Sequence, residues 1–318
     1  MKKTILIYIP IMAFAYLGFK ISFPSSPISY NFYHWKQRYS VESNETNSPQ
    51  YIKVLDISYE QGLKVFKTIF RTKIKEITPV IYLSNSLFLN TRASTLLKKV
   101  LKNLDELPLI EYHEIQVDCD WTGKTQKRYF EFLKLLKKET DKKISATIRL
   151  HQVKYYKKTG VPPVDYGVLM YYNMSDFRDR ETKNYILDLD IAKRYHYNFD
   201  TYPLALNLAL PLYSQATIIR FSKVIGFMEG VRVQELNNNF RQIEDNLYEV
   251  TKTHYFKKKL LYEEDEIRID EVSLEDLRKT IESLQQVMKR PKEIIFYRWG
   301  NREFYGDKKL NGLLQLWD

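Results

Sequence analysis

The chain has 318 residues, 44% of them apolar and 14% aromatic, with 10 glycines, one cysteine and a formal charge of +11. This length and apolar content fit one large domain and exclude wholesale disorder. The lone Cys119 excludes an intramolecular disulfide and a Cys-based zinc cluster.

Taken from the N-terminus, Met1-Lys2-Lys3, an uncharged run from Thr4 to Phe19 and then Lys20 predict a signal peptide or signal anchor over residues 1–22. No cysteine follows it, so lipoprotein processing is excluded. No clear small-residue cleavage site precedes Pro24, and cleaved and uncleaved forms stay equally open. The expected setting is the cell envelope, periplasmic or membrane-anchored, with the membrane as a partner if the segment is retained. The polar stretch Ser40 to Gln50 reads as a loop. Eight β-rich runs recur along the chain, the first ahead of that loop: Asn31–Lys36, Tyr51–Tyr59, Thr78–Leu83, Glu114–Asp120, Lys143–Leu150, Tyr166–Tyr172, Ala205–Pro211 and Glu293–Trp299. Several are continuously hydrophobic, as strands buried on both faces are. Helical spacing occupies Thr91–Leu104 and Thr125–Glu139, and Ser-Leu-Glu-Asp at Ser273 is a capping box that opens a third helix. Strands alternating with helices imply a parallel sheet, and eight strands imply closure, so the expected fold is an irregular α/β TIM-like (β/α)8 barrel over residues 28–318. No helix is evident after the first strand. Short alternating segments with turn signals predict an antiparallel β insertion over about 216–271, before the last strand.

In such a barrel the polar groups at strand ends converge on one mouth. Here the strand ends offer His34 and Trp35, Asp56, Asn85, Asp118 and Asp120 with Trp121, Arg149 with His151 and Gln152, Tyr171, Tyr172 and Asn173, Tyr213, and Tyr297 with Arg298 and Trp299. Carboxylates and amides bind sugar hydroxyls, and aromatic rings pack on the apolar faces of pyranoses. Asp118 and Asp120 are two residues apart and face the same side of their strand. Two close carboxylates repel, so one can hold a proton near neutral pH, the requirement for a general acid beside an ionised partner. An ion pair of Asp118 with Arg149 on the next strand is the purely structural alternative. Cys119, between the two aspartates, should point to the opposite face and serve packing. Of Tyr171 and Tyr172 only one can reach the mouth. Catalytic roles are expected for Asp120 as the acid or substrate-orienting group, for Asp118 as its charge partner and for Asp56 as a second carboxylate across the mouth. Substrate-binding roles are expected for His34, Trp35, Asn85, Trp121, Arg149, His151, Gln152, Tyr172, Asn173, Tyr213, Arg298 and Trp299. A metal site would need His34, His151 and the aspartates to converge, and neither metal nor cofactor is assigned. No Walker or dinucleotide glycine pattern, no Gly-x-Ser-x-Gly elbow and no nucleic-acid-binding signature is present.

The motifs Ile115-Gln-Val-Asp-Cys-Asp-Trp-Thr122, Ser145-Ala-Thr-Ile-Arg-Leu-His-Gln152, Lys158-Thr-Gly-Val-Pro-Pro-Val164, Leu169-Met-Tyr-Tyr-Asn-Met174 and the Leu-Pro of Ala209–Leu212 resemble a bacterial family of often exported proteins without an assigned activity. The resemblance runs from about Phe32 to Trp299 and implies a fold and a setting, but no reaction. More remotely, the chain is similar to chitinase-like glycoside hydrolases of family eighteen, whose barrel carries Asp-x-x-Asp-x-Asp-x-Glu and, later, Met-x-Tyr. Asp118 and Asp120 fall on the second and third aspartates, and Met170 with Tyr172 on the later motif. Ile115 replaces the first aspartate, and Thr122 replaces the proton-donating glutamate. The sequence therefore supports a carbohydrate-active barrel acting on an envelope or extracellular glycan. A catalytically silent glycan-binding barrel and a basic envelope scaffold stand as alternatives.

Overall fold

A computed structural model describes residues 27–40, 48–71, 73–179 and 181–317. The expected leader over residues 1–22 and most of the Ser40–Gln50 loop lie outside the described residues. Eight strands form the barrel: β1 (Ser29–His34), β2 (Tyr51–Tyr59), β3 (Thr78–Leu83), β4 (Glu114–Asp118), β5 (Lys143–Arg149), β6 (Tyr166–Met170), β7 (Leu206–Pro211) and β8 (Glu293–Tyr297). Each pairs in parallel with the next, and β8 closes on β1. The fold is thus the closed parallel barrel that the alternation of elements predicts.

Successive side chains of a strand point to opposite faces. One parity fills the lumen with Tyr33, Tyr51, Val80, Tyr166, Val168, Ala209 and Ile295. The other parity, including Ile52, Ile81, Val117, Ile148, Leu208 and Phe296, meets the helices in the outer core. Helix α1 (Ala93–Asp105) buries Leu96, Leu97, Val100 and Leu104, and α2 (Gln126–Thr140) buries Tyr129, Phe132, Leu133 and Leu136. These are the apolar stripes read from the sequence. A short helix α3 (Leu150–Lys154) follows β5 directly. Before β8 comes α4 (Leu274–Gln285), where Ser273 Oγ accepts from the Asp276 amide at 3.1 Å and the Asp276 carboxylate accepts from the Ser273 amide at 2.8 Å.

The barrel departs from regularity in two places that shape its mouth. After β2 the chain doubles back in an antiparallel strand, Leu63–Lys67, which pairs with the second half of β2. Only Tyr33–Tyr51 and His34–Ile52 pair β1 to β2 directly. Between β7 and β8 lies the antiparallel insertion, starting at Ser214, two residues earlier than the sequence pattern indicates, and ending at Glu271. Its strand order is Lys223–Glu229, Ser214–Arg220, Glu266–Glu271, Leu247–Val250, Phe240–Gln242. It has its own apolar core around Ile218, Met228, Val250, Phe256, Ile267 and Ile269. Arg268, fully buried, ties it to the barrel: Nε donates to Asp270 at 3.1 Å, and its two terminal nitrogens donate to the carbonyls of Asp179 and Phe177 at 2.7 and 2.9 Å. This clasp holds the loop after β6 against the insertion. No helix among the described residues is long and apolar enough to cross a membrane.

Candidate active site

A cleft of about 550 Å³ opens at the C-terminal ends of the strands. Its floor is a row set by register. Asp56 on β2 is the partner of Tyr82 on β3, and Tyr82 is the partner of Asp118 on β4. A bulge in β2 between Lys53 and Leu55 turns both Lys53 and Asp56 toward the cleft, where Lys53 Nζ lies 3.0 Å from Asp56 Oδ2. Thr147 on β5 continues the row, its hydroxyl donating to Asp118 Oδ1 at 2.7 Å. One turn of the pleat higher, Asp120 forms an ion pair with Arg149.

Burial, reinforced by the charge of Asp120, pushes the Asp118 carboxyl up to about 6; the Thr147 hydroxyl and then Arg149 and Lys53 act in the opposite direction. Asp118 therefore keeps a proton to higher pH than an ordinary aspartate. Tyr82 beside it is pushed up to about 12 by burial and then by Asp120, Asp118 and Asp56, so its hydroxyl stays a donor. Burial and then Arg149 lower His151, with Asp120 acting against them. The rim is aromatic. Tyr172 and Tyr297 stack at 5.3 Å and 20°, while Trp35 and Tyr213 meet Tyr297 edge-on at 5.9 and 5.6 Å. Tyr213 also donates to the Asn173 side-chain carbonyl.

The cleft brings together Asp56, Asp118, Asp120, Trp35, Arg149, His151, Tyr172, Asn173, Tyr213 and Arg298 from the sequence-predicted set. It does not bring in the others. Trp121 is 4% exposed and stacks at 5.2 Å on Tyr129 of α2. The parity that turns Cys119 into the outer core turns Trp121 there too. Trp299 lies in a short turn past β8, against Phe32 at 5.2 Å with the Arg302 guanidinium 3.7 Å from its ring centre. His34 contacts the Arg38 carbonyl at 3.0 Å and faces a separate side pocket. Asn85 is spent on Thr125 and Thr122. Gln152 is buried and caps α3, accepting from the Arg149 amide at 2.8 Å. The ion pair imagined for Asp118 belongs to Asp120 instead. Tyr171 turns outward to His196 at 2.7 Å, leaving Tyr172 at the mouth. Among the described residues no group of three or more His, Cys, Asp or Glu is placed to hold a metal ion.

Sequence reasoning missed several cleft residues: Lys53, Tyr82, Thr147, Tyr185, Tyr195, Gln215 and Glu229. Thr147 and Tyr82 were findable, since each sits on a barrel strand at the inward parity. Gln215 and Glu229 were not, because they reach the mouth from the insertion, where Glu229 accepts from Arg298 at 2.8 Å. Thr122 stands outside the cleft, its hydroxyl within 3.4 Å of the Thr125 hydroxyl and 3.5 Å of the Asn85 amide.

No family model matches the chain, and no curated protein sequence matches it. Among solved structures, the spore cortex-lytic enzyme SleL of Bacillus cereus is similar over 91% of this chain and 74% of its own, with a TM-score of 0.53 and 12% identity. A chitinase from Chromobacterium violaceum is similar over 91% of this chain and 98% of its own, with a TM-score of 0.52 and 10% identity. At these identities the likeness establishes the fold alone: the chain is a TIM-like (β/α)8 barrel with an added antiparallel sheet.

Proposed function

We propose that the cleft binds a glycan and that the protein is a glycoside hydrolase-like enzyme centred on Asp118 and Asp120. The observation that carries this is geometric: the Asp118 carboxyl, pushed up to about 6 by burial, lies with Asp56 and Asp120 in one cleft beneath a rim of Trp35, Tyr172, Tyr213 and Tyr297. Asp118 is the group able to donate a proton to the glycosidic oxygen as the C–O bond breaks. Water adds to the anomeric carbon, and its proton passes to Asp56 across the row. Asp120, fixed by Arg149, orients the sugar and raises Asp118. The fold neighbours make chitin oligosaccharides and cortex glycan the first polymers to try. With the full chain, Asp118→Asn and Asp120→Asn should each lower release of reducing ends by about 100-fold or more while leaving oligosaccharide affinity within a few-fold. Loss of binding in step with turnover would count against the assignment.

A second reading is a silent glycan-binding barrel. It is favoured by the hydroxyl at Thr122, the position that the family-eighteen motif resembled by this chain fills with its proton-donating glutamate. Under it, Trp35→Ala and Tyr172→Ala weaken glycan binding, and no polymer yields product. The leader pattern of residues 1–22 would bring either protein to an envelope glycan; fractionation of cells carrying the full chain tests that placement.

A further inference from the structure

A side pocket of about 240 Å³ adjoins the main cleft and shares Trp35 and Arg298 with it. Two distant segments build it: the end of β1 with the residues after it (Tyr33 to Ser40), and the turn that follows β8 (Arg298 to Gly300). Its charged side chains are Lys36, Arg38 and Arg298, and no carboxylate lines it among the described residues. Lys36 reaches across the seam, its Nζ 3.8 Å from where a Cβ on Gly300 would stand, so the absence of a side chain there leaves the ammonium room. Arg298 spends one terminal nitrogen on Glu229, yet its Nε–H is buried with no hydrogen-bond partner. A buried guanidinium donor left unmade is costly unless something accepts from it. The indoles of Trp35 and Trp299 give the pocket flat walls.

We propose that this pocket receives an anionic substituent, a carboxylate or phosphate, of a glycan whose sugar rings occupy the main cleft; the proposal rests on the glycan reading of that cleft. Lys36, Arg38 and the guanidinium of Arg298 supply the charge-assisted donors such an oxyanion needs. The shared Trp35 and Arg298 place the substituent on the same molecule as the rings beneath Tyr172 and Tyr297. The substrate class is thereby narrowed from any glycan to an acidic one.

The test is calorimetry on the full chain with three probes. These are a neutral N-acetylglucosamine tetramer, a tetramer alternating N-acetylglucosamine with glucuronate, and inorganic phosphate. The acidic tetramer should bind about tenfold more tightly than the neutral one, with an advantage that shrinks with salt. Phosphate alone should bind weakly and compete with the acidic tetramer only. A Lys36→Gln, Arg38→Gln pair, both exposed and outside the main cleft, should erase the advantage and leave neutral-tetramer affinity unchanged. Equal affinity for the two tetramers, or an advantage that survives the double substitution, overturns the proposal. Failure of the glycan reading looks different: neither tetramer binds while phosphate still does, and the pocket is then a free-anion site instead of part of a glycan site.

Discussion

Asp118 makes opposite demands on stability and chemistry. Its folded carboxyl titrates near 6, above the value of about 4 expected unfolded. Between those values the folded state binds more protons than the unfolded state, so stability falls as pH rises from about 4 to 6, by on the order of 2 kcal/mol. Asp118→Asn removes that penalty. The variant should match the parent in melting temperature at pH 3.5–4 and exceed it at pH 8; a gap equal at both pH values would refute the burial account. Trp121 is the converse case, a residue whose type suggests sugar stacking and whose place forbids it. Trp121→Ala should cost about 3–5 kcal/mol by opening a void against Tyr129. Thermal melts should show the loss, with glycan affinity of the folded protein unchanged. Trp35→Ala should do the reverse.

At the scale of elements, the insertion and the loop after β6 form one working unit. The clasp of Arg268 supplies donors to Phe177 and Asp179 and a counter-charge to Asp270, whose carboxyl burial pushes up to about 6 in spite of the arginine. Asn184 adds a bond to the Glu271 carbonyl at 2.8 Å, and Tyr185 one to Gln215 at 2.9 Å. Through these bonds Asn173, Met174 and Tyr185 from the loop and Gln215 and Glu229 from the sheet line the cleft together. Arg268→Met strands two carbonyls and a carboxyl and should cost about 3–5 kcal/mol. Hydrogen exchange should then quicken over residues 173–185 and the insertion while the barrel strands keep their protection. Uniform loss everywhere would mean that the clasp does not act locally.

For the whole molecule, the question is whether net positive charge or the cleft dominates binding. Lysines such as Lys98, Lys99 and Lys102 on α1, or Lys134, Lys137 and Lys138 on α2, lie on helices away from the mouth and form a solvated basic face. If the cleft governs recognition, affinity for a neutral oligosaccharide should change less than about threefold between roughly 50 and 500 mM salt. A steep decline, indifferent to Trp35→Ala and Asp120→Asn, would favour the scaffold reading instead.

The sequence alone determined the barrel, because strands buried on both faces must be continuously apolar and helices covering them must carry one apolar stripe. Tyr166 to Met170 and Leu96 to Leu104 show those constraints directly. It also anticipated that Asp118 and Asp120 share a face, and both line the cleft although β4 itself ends at Asp118. The tertiary structure alone decided that Arg149 serves Asp120, that Glu229 and Gln215 reach the cleft, and that a bulge at Lys53 swings Asp56 inward. Each depends on register between segments far apart in the chain, which spacing within one segment does not encode. Trp299 and Gln152 were misjudged for a related reason: β8 and β5 stop short of them, and once a strand gives way to a turn, its two-residue period no longer says where a side chain points.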